Sequence, residues 1–435
     1  MNVISLIDKF PLGTSAQKGY FLYTKLPSGL FAKMEADNFK GTIRYVGEHS
    51  QFYRRKFREH GIDPLKVTCP RDLGDLFTTP EDIRANPDEF LCAAPDTAYE
   101  STGTTSKKTK RVYFSRQEVK DAGWAGAVGL WGLGVRPEDR VVSAFDYSFW
   151  VSGPVLQASC EVLGCFHVEA GRLTPEDFYE RLSDYRVTVI VGDPSWLLRL
   201  SEIAEKKGPW PIKLMIGGGE NLTEDARAYI QKVWRADFIL SYGQTEAFGA
   251  IGMESRDRHG YHLNEFHNYF EILSPDADGY GELVYTTLNR RVMPLVRYRS
   301  GDITRFMTGR SASGLPGRRI EKLKGRIDEW IPTALGNIAP WMFEEVFKSL
   351  EGTADWQIAV QKERNKDRIE FRVESGDGPE IAGMEQKVMD AFRTRMPEQW
   401  KLSEMDLCSF GVKIFPKGGL RSGRKLKRII DERRF

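Results

Sequence analysis

The chain begins in polar sequence with a helical period. In "RYVGEHSQFYRRKFREHG" apolar and aromatic residues return at three- and four-residue steps among charges, which predicts helices through the first part of the chain. "DLFTTPEDIRANP" interrupts the period, and Thr78 or Thr79 is placed to cap a short helix there. From Arg140 the pattern alternates. "RVVSAF", "VTVIVG", "IKLMIGGGE" and "DFILSYGQTE" are apolar runs of strand character. "PEDFYERLSDY", "DPSWLLRLSEIAEKKG" and "TEDARAYIQKVW" lie between them with helical spacing. Pro194 falls near the first turn of the second of these helices, where its missing N–H costs nothing. Such alternation predicts a parallel, doubly wound sheet. Ligands of these sheets sit beyond the carboxyl ends of the strands, so "GDPS", "GGGE" and "YGQTE" should share one edge.

The period then changes again. "FEILSPDADGYGELVYTTL" and "MPLVRYRSGDITRFM" have the look of antiparallel strand pairs with Gly/Asp turns. Past "KLKGRIDEW" the order is helix ("PWMFEEVFKSL"), strand ("WQIAVQKE"), turn ("RNKD"), strand ("RIEFRVE"), helix ("GMEQKVMDAFRTRM") and strand ("FGVKIF"). The expected fold is therefore α/β. A large N-terminal domain, 1–326, carries doubly wound, mostly parallel sheets and an antiparallel β subdomain. A small α+β domain, 327–435, follows.

Composition narrows the function. A chain of 435 residues exceeds what one core usually organises. Net charge is only +2, which gives no case for nucleic acid or a membrane surface. No apolar run approaches the ~20 residues of a membrane helix, and the first residues lack a signal-peptide pattern. The five cysteines, Cys69, Cys92, Cys160, Cys165 and Cys408, are odd in number and scattered, which points to reduced thiols in a cytoplasm. No Cys/His group has zinc spacing. His259, His262 and His267 stand in a loop-and-strand setting and read as ordinary polar residues. "GLWGLG" has the wrong glycine spacing for a dinucleotide fingerprint and reads as a helix end.

Five short stretches can carry chemistry. In "YESTGTTSKKTKRVYF", Ser101, Thr102, Thr104, Thr105 and Ser106 surround Gly103, with Lys107 and Lys108 behind them. Hydroxyls, bare backbone and lysines together suit phosphate oxygens. A surface turn is the competing reading, and the P-loop spacing is not met. "LSYGQTEAFG" offers Tyr242 to stack on a base, Thr245 to donate to a phosphate and Glu246 as a hard oxygen for Mg²⁺. A plain turn in which Thr245 caps a helix would use the same residues. "VRYRSGDIT" places Asp302 to accept from two ribose hydroxyls, or makes a hairpin turn. "KLKGRIDEW" supplies Arg326, a planar fork for phosphate or ribose oxygens, or only a surface charge. The basic tail "LRSGRKLKRIIDERRF" is either solvated or carries a lysine into a site.

In order and spacing these stretches resemble the adenylate-forming superfamily of acyl-CoA synthetases, peptide-synthetase adenylation domains and luciferases. The nearest likeness is to the phenylacetate–CoA ligase branch. "STGTTSKKT" is similar to the family's S-S-G-T-T-G-K-P-T, "YGQTE" to Y-G-x-T-E, "YRSGD" to Y-R-T-G-D, "LKGRIDE" to the G-R-x-D-D hinge and "SGRKLKRIID" to G-K-x-x-R. "SQFYRRKFREHGIDPLKV" and "HLNEFHNYFEIL" resemble the phenylacetate branch in particular.

The resemblance implies an enzyme that activates a carboxylate with ATP and Mg²⁺, releases pyrophosphate, and passes the acyl group from acyl-AMP to coenzyme A. A carrier-protein thiol or an amine is the alternative acceptor, and a non-catalytic adenylate-binding protein the alternative class. By residue, it implies Ser101, Thr102, Gly103, Thr104, Thr105 and Lys107 on the β and γ phosphates. Thr245 would touch the α-phosphate and Glu246 would carry the metal. Gly218, Gly219, Glu220, Tyr242 and Gly243 would frame the adenine, and Asp302, with Arg326 beside it, would hold the ribose. Lys425 would bridge carboxylate and α-phosphate, with Lys427 as the runner-up. Asp328 or Glu329 would be the hinge about which the small domain is mobile. Tyr147, Phe149, Trp150, Pro194 and Gly217 would line the acyl pocket, and aromatic walls suit an aryl acid. Homodimers are common in this branch.

The chain departs from the pattern at several points. Ser106 and Lys108 stand for Gly and Pro, and Arg424 separates Gly423 from Lys425. "MESRDR" replaces the E-C of many relatives, which puts a structural metal of the family's kind in doubt, and the region around Phe149 lacks a glycine pair of phenylacetate-specific members.

Overall fold

The computed structural model describes residues 15–25, 27–101, 109–171, 173–220, 222, 224–309, 311–313, 315, 317–327, 331–333, 336–350, 352–363, 366–375, 383–405, 408–420 and 426–433. The chain divides into two compact units. One runs to Ser300 and includes Thr304–Lys322. The other takes in Gly301–Ile303 and the chain from Leu323.

The first unit opens with helices Ser15–Lys25, Ser28–His49 and Gln51–Glu59. The third buries Phe52, Tyr53 and Phe57 and starts where the Ser50 hydroxyl accepts from the Tyr53 N–H. Thr79, not Thr78, caps the helix Pro80–Ala85, in a reciprocal bond with Asp82. Thr78 is buried, with its hydroxyl 2.7 Å from that of Tyr53 and donating to Val296. Strands β1 (Thr97–Ser101) and β2 (Lys110–Phe114) then pair antiparallel, with Ser101 opposite Lys110.

Next come β3 (Arg140–Ser143), β4 (Phe166–Glu169), β5 (Val189–Gly192), β6 (Leu214–Gly218), β7 (Asp237–Gln244), β8 (Gly249–Glu254) and β9 (Tyr261–Leu263). The antiparallel region follows with β10 (Asn268–Leu273), β11 (Gly281–Thr287), β12 (Tyr298–Thr304) and β13 (Arg319–Ile320). The main sheet has eight strands in the order β13-β9-β8-β7-β6-β5-β3-β4. From β4 to β7 neighbours are parallel; from β7 to β13 they are antiparallel.

Strand alternation decides which helix covers which face. Val189, Val191, Leu214, Ile216 and Ile239 share a core with Ala127, Leu130, Leu156 and Cys160 of the helices Arg116–Gly132 and Ser152–Leu163. Phe238 faces the other way. It lies under the end of β6, where a Cβ on Gly217 would meet it at 2.7 Å and Pro194 at 3.0 Å. The helices Pro175–Leu182 and Pro194–Lys207 supply Phe178 and Trp196 to an aromatic layer that Trp210 and Trp234 continue. "GLWGLG" ends a helix as expected, with Gly134 at φ +86°. A second sheet runs β10-β11-β12.

In the second unit, β14 (Gly325–Arg326) pairs with Ile303 and Asp302. β15 (Ile331–Thr333) and β16 (Gly336–Ile338) form a hairpin. β17 (Thr353–Glu363) and β18 (Lys366–Ser375) pair antiparallel; β19 (Cys408–Phe415) and β20 (Ile429–Asp431) join them in the order β19-β18-β17-β20. Helices Met384–Arg395 and Pro397–Glu404 complete the unit. Its core gathers Ile358, Val360, Phe371, Val388 and Phe392. The expected helix over "PWMFEEVFKSL" is only Glu344–Lys348, preceded by a tighter turn at Pro340–Met342.

Candidate active site

The parallel register brings three quoted stretches to one edge. Gly192 lies opposite Gly217, and Gly218 opposite Ser241, so "GDPS", "GGGE" and "YGQTE" leave neighbouring strands side by side. The Glu220 carboxylate accepts from the Ser195 N–H at 3.2 Å, at the start of the helix Pro194–Lys207, where the helix dipole favours a negative charge. Its other oxygen is buried with no partner. Gly219 adopts φ +85°, a turn that glycine enters without strain. Tyr242 is buried and tilted against Tyr261 at 6.0 Å, so its ring packs into the protein. Gly243 closes β7 opposite Ala250.

Beyond β7 the chain makes a tight turn, Thr245–Ala247, and returns as β8. Thr245 is buried in that turn and caps no long helix. Glu246 is 2% exposed. Lys110 Nζ pairs with its Oε1, and the Tyr298 hydroxyl donates to the same oxygen at 2.9 Å. Lys110 also donates to Tyr298 at 3.2 Å. Burial raises the Glu246 carboxyl, but Lys110 and the hydrogen bonds outweigh it and hold the group below its ordinary range. Arg290 donates to the Glu246 carbonyl and lies 4.1 Å above the Phe114 ring. Burial pulls that guanidinium down to about 10.

The β1–β2 hairpin reaches this arrangement through Lys110. Thr102, Gly103, Thr104, Thr105 and Lys107 lie outside the described residues. Ser101 ends β1, and its buried hydroxyl has no hydrogen-bond partner among the described residues. Phe248, at φ +56°, packs tilted against Phe114 at 4.0 Å and Tyr99 at 5.7 Å. This aromatic contact joins the hairpin to the turn that carries Glu246. A hard carboxylate here fits Mg²⁺, which keeps water and phosphate as most of its ligands. The Lys110 and Tyr298 bonds both fall on Oε1 of Glu246.

Asp302 sits on a strand, not in a hairpin turn, and Gly301 beside it takes φ +78°. Arg326 donates to its carboxylate at 2.7 Å. Asp328, Glu329 and Lys425 lie outside the described residues; Lys427 is described and exposed.

The acyl-pocket residues come from three adjacent strand ends. Tyr147, Phe149 and Trp150 follow β3, Pro194 follows β5, and Gly217 lies in β6. The Tyr147 hydroxyl is 3.3 Å from His167 Nε2, and burial pushes that imidazole down to about 4. The Phe149 carbonyl accepts from Glu100 at 2.9 Å, but the Phe149 ring is 64% exposed and walls no closed cavity here.

The histidine-rich stretch has its own arrangement. His262 Nε2 lies 3.2 Å from Ser255, 3.2 Å from Ser311 and 3.4 Å from Ser313, while Asp257 accepts from Ser255 and Ser311. His262 Nδ1 has no partner, so the carboxylate does not orient the imidazole as a nucleophile's base requires. These hydroxyls, bonded to one another, do not fit a thiolate metal centre. Among the described residues no group of three or more His, Cys, Asp or Glu could hold a metal.

Sequence reasoning missed Lys110, Tyr298 and Arg290. Lys110 was legible: in "KRVYF" it shares the strand face of Val112 and Phe114, both buried. Tyr298 shares a face with Ser300 and Asp302. No pattern pointed to Arg290.

Comparison with known proteins agrees with this geometry. The family model described as AMP-binding enzyme C-terminal domain matches residues 336–433. The phenylacetate-coenzyme A ligase of Pseudomonas putida is 29% identical over 360 residues, covering 78% of this chain and 81% of that protein. The phenylacetate-coenzyme A ligase of Thermus thermophilus is 29% identical over 440 residues, covering 94% of this chain and 98% of that protein. The same fold appears in 2-hydroxyisobutyryl-CoA ligase, in the postadenylation state with 2-HIB-AMP. That structure has a TM-score of 0.77 at 20% identity and covers 94% of this chain and 90% of its own. Among the described residues no helix is long and apolar enough to cross a membrane. Residues 336–433 thus match the AMP-binding enzyme C-terminal domain, and most of the chain is similar in sequence to phenylacetate–CoA ligases.

Proposed function

We propose that this chain is an ATP-dependent acid–CoA ligase acting on an aryl carboxylate. The carboxylate attacks the α-phosphate of ATP, giving acyl-AMP and pyrophosphate. The thiol of coenzyme A then displaces AMP and leaves a thioester. One observation carries the reading: at the carboxyl ends of the parallel strands β6 and β7 lie the glycine edge at Gly217–Gly218 and the turn that holds the buried Glu246, whose partner Lys110 stands opposite Ser101 in the β1–β2 hairpin. That is where a doubly wound sheet takes its ligand.

Each residue has a role in this scheme. Ser101, Thr102, Gly103, Thr104, Thr105 and Lys107 gather the β and γ phosphates, and Thr245 donates to the α-phosphate. Gly218, Gly219 and Gly243 let the adenine approach bare backbone. Tyr242 and Glu220 support that surface from behind, since one packs on Tyr261 and the other caps a helix. Asp302 accepts from the ribose hydroxyls while Arg326 keeps its carboxylate turned. Bound Mg²⁺, held at Glu246, would neutralise charge on the phosphates. Lys425 bridges carboxylate and α-phosphate as the bond forms. We place the functional boundary at 326/327, just past the Lys322/Leu323 break between the compact units, and the hinge at Asp328 or Glu329, which would swing the small domain between the two half-reactions. Tyr147, Trp150, Pro194 and Gly217 shape the acyl site, with Phe149 at its mouth. We place the protein in the cytoplasm, consistent with five free cysteines, and as a homodimer.

The test is isotope exchange between labelled pyrophosphate and ATP, run over aryl and short-chain acids without coenzyme A, then repeated with Lys425→Ala. Exchange with an aryl acid that collapses in the variant supports adenylation. Thioester formation on adding coenzyme A fixes the acceptor, and its failure points to a carrier protein or an amine. No exchange with any acid, despite ATP binding, sinks the ligase reading in favour of an adenylate-binding protein.

A further inference from the structure

Lys110 is the least expected residue of the site. It lies opposite Ser101, at the base of the hairpin whose connecting sequence is the phosphate segment. Strand alternation turns it inward with Val112 and Phe114, and it is 8% exposed. Its ammonium meets Glu246 Oε1 and donates to the Tyr298 hydroxyl, which in turn donates to the same oxygen. Three buried polar groups thus form one network.

Stability does not explain a lysine here. A buried ion pair gains little over an apolar pair of the same shape, because desolvating both charges offsets their attraction. Its position explains it better. Glu246 is the carboxylate on which the ligase reading places the cation that accompanies ATP, and Lys110 already sits on it.

We propose that Lys110 is a positioning residue, a tethered counter-cation that neutralises Glu246 before nucleotide arrives and competes there with the divalent cation brought in on ATP. The inference rests on the ligase reading only in taking that cation to be the one that travels with ATP. The chain therefore carries part of the positive charge its phosphate site needs, and binds metal-free nucleotide better than a bare carboxylate would allow. When the divalent cation takes Glu246, the ammonium stays within the same pocket, tied to Tyr298.

The experiment uses the full chain, a non-hydrolysable ATP analogue and Mn²⁺ as the probe, with free Mn²⁺ read by electron paramagnetic resonance. In Lys110→Met the competing charge is gone, so Mn²⁺ should bind the protein–nucleotide complex about tenfold tighter than in the wild type, and the metal-free analogue more weakly. In Glu246→Gln the ammonium is left unpaired, so the metal-free analogue should bind about tenfold tighter and the protein's share of Mn²⁺ affinity should vanish. Unchanged Mn²⁺ affinity in a folded Lys110→Met overturns the proposal. Should that variant fail to fold by circular dichroism, unchanged metal-free binding in Glu246→Gln overturns it instead. A wild type that binds no analogue, with or without Mn²⁺, overturns the ligase reading and this inference with it. Binding with unchanged metal affinity overturns only the inference.

Discussion

At the scale of single residues, two carboxylates of the candidate site are each given one cation. Glu246 has Lys110, and Asp302 has Arg326. At Glu246 the cation and the hydrogen bonds outweigh the burial that would otherwise raise the carboxyl. Asp302→Asn keeps the shape and removes the charge. If Asp302 holds the ribose, AMP affinity measured by calorimetry should fall roughly 10- to 100-fold. If the residue serves only Arg326, the melting temperature should drop while AMP affinity stays. Legibility differed residue by residue. Glu246, Asp302 and Arg326 were singled out because "YGQTE", "YRSGD" and "LKGRIDE" are spaced as a family spaces them. Lys110 lay three residues past the lysine that attracted notice, and only the buried face of its strand gives it a partner. Tyr242 shows the converse. Its type suggested stacking on a base, yet its neighbours on β9 turn the ring inward.

At the scale of elements, the sheet edge depends on β7 and β8 leaving and returning in register. Arg227, on the helix Glu224–Trp234, grips Glu254 at the end of β8 with two bonds of 2.9 Å. Glu254 also accepts from the Leu240 N–H of β7 at 2.7 Å. Helix and both strands are thereby clamped behind the turn that carries Glu246. The Glu254 side chain has no exposure, so removing its partner strands a buried charge. Arg227→Leu should cost about 3–5 kcal/mol in chemical denaturation, and Arg227→Leu with Glu254→Met should recover most of it. A single-variant loss near zero would mean that water reaches the pair. Strand and helix order was plain from periodicity, because buried parallel strands are apolar throughout and their helices are not. Lengths were less plain: β17 ends at Glu363 as expected, but β18 starts at Lys366, two residues inside the expected "RNKD" turn.

At the scale of the molecule, the N-terminal helices are tied to the sheets through a charged cluster. Arg318 pairs with both Glu35 and Glu265, and donates its N–H to Glu265 at 3.0 Å. Burial raises the Glu35 carboxyl and Glu265 adds to it, so that despite Arg318 the group rises to about 7. A raised acid binds its proton more tightly folded than unfolded. Its stabilising contribution is complete below the unfolded value, near 4.5, and is lost as pH climbs through about 7. The melting temperature should therefore fall between pH 5 and pH 8 by an amount equivalent to about 3 kcal/mol at most, and Glu35→Gln should flatten that part of the curve. An identical slope in the variant would assign the pH dependence elsewhere.

The sequence alone determined the order of strands and helices, the change from a parallel to an antiparallel style, and the short motifs that resemble those of adenylate-forming enzymes. These follow from local period and spacing, which the chain carries with it wherever it folds. Tertiary structure decided which residues meet. Lys110 and Glu246 are more than a hundred positions apart, Arg227 and Glu254 sit on different elements, and Arg318 reaches Glu35 from near the far end of the first unit. No local pattern encodes such pairs, because each exists only where two burials coincide and one charge must answer another.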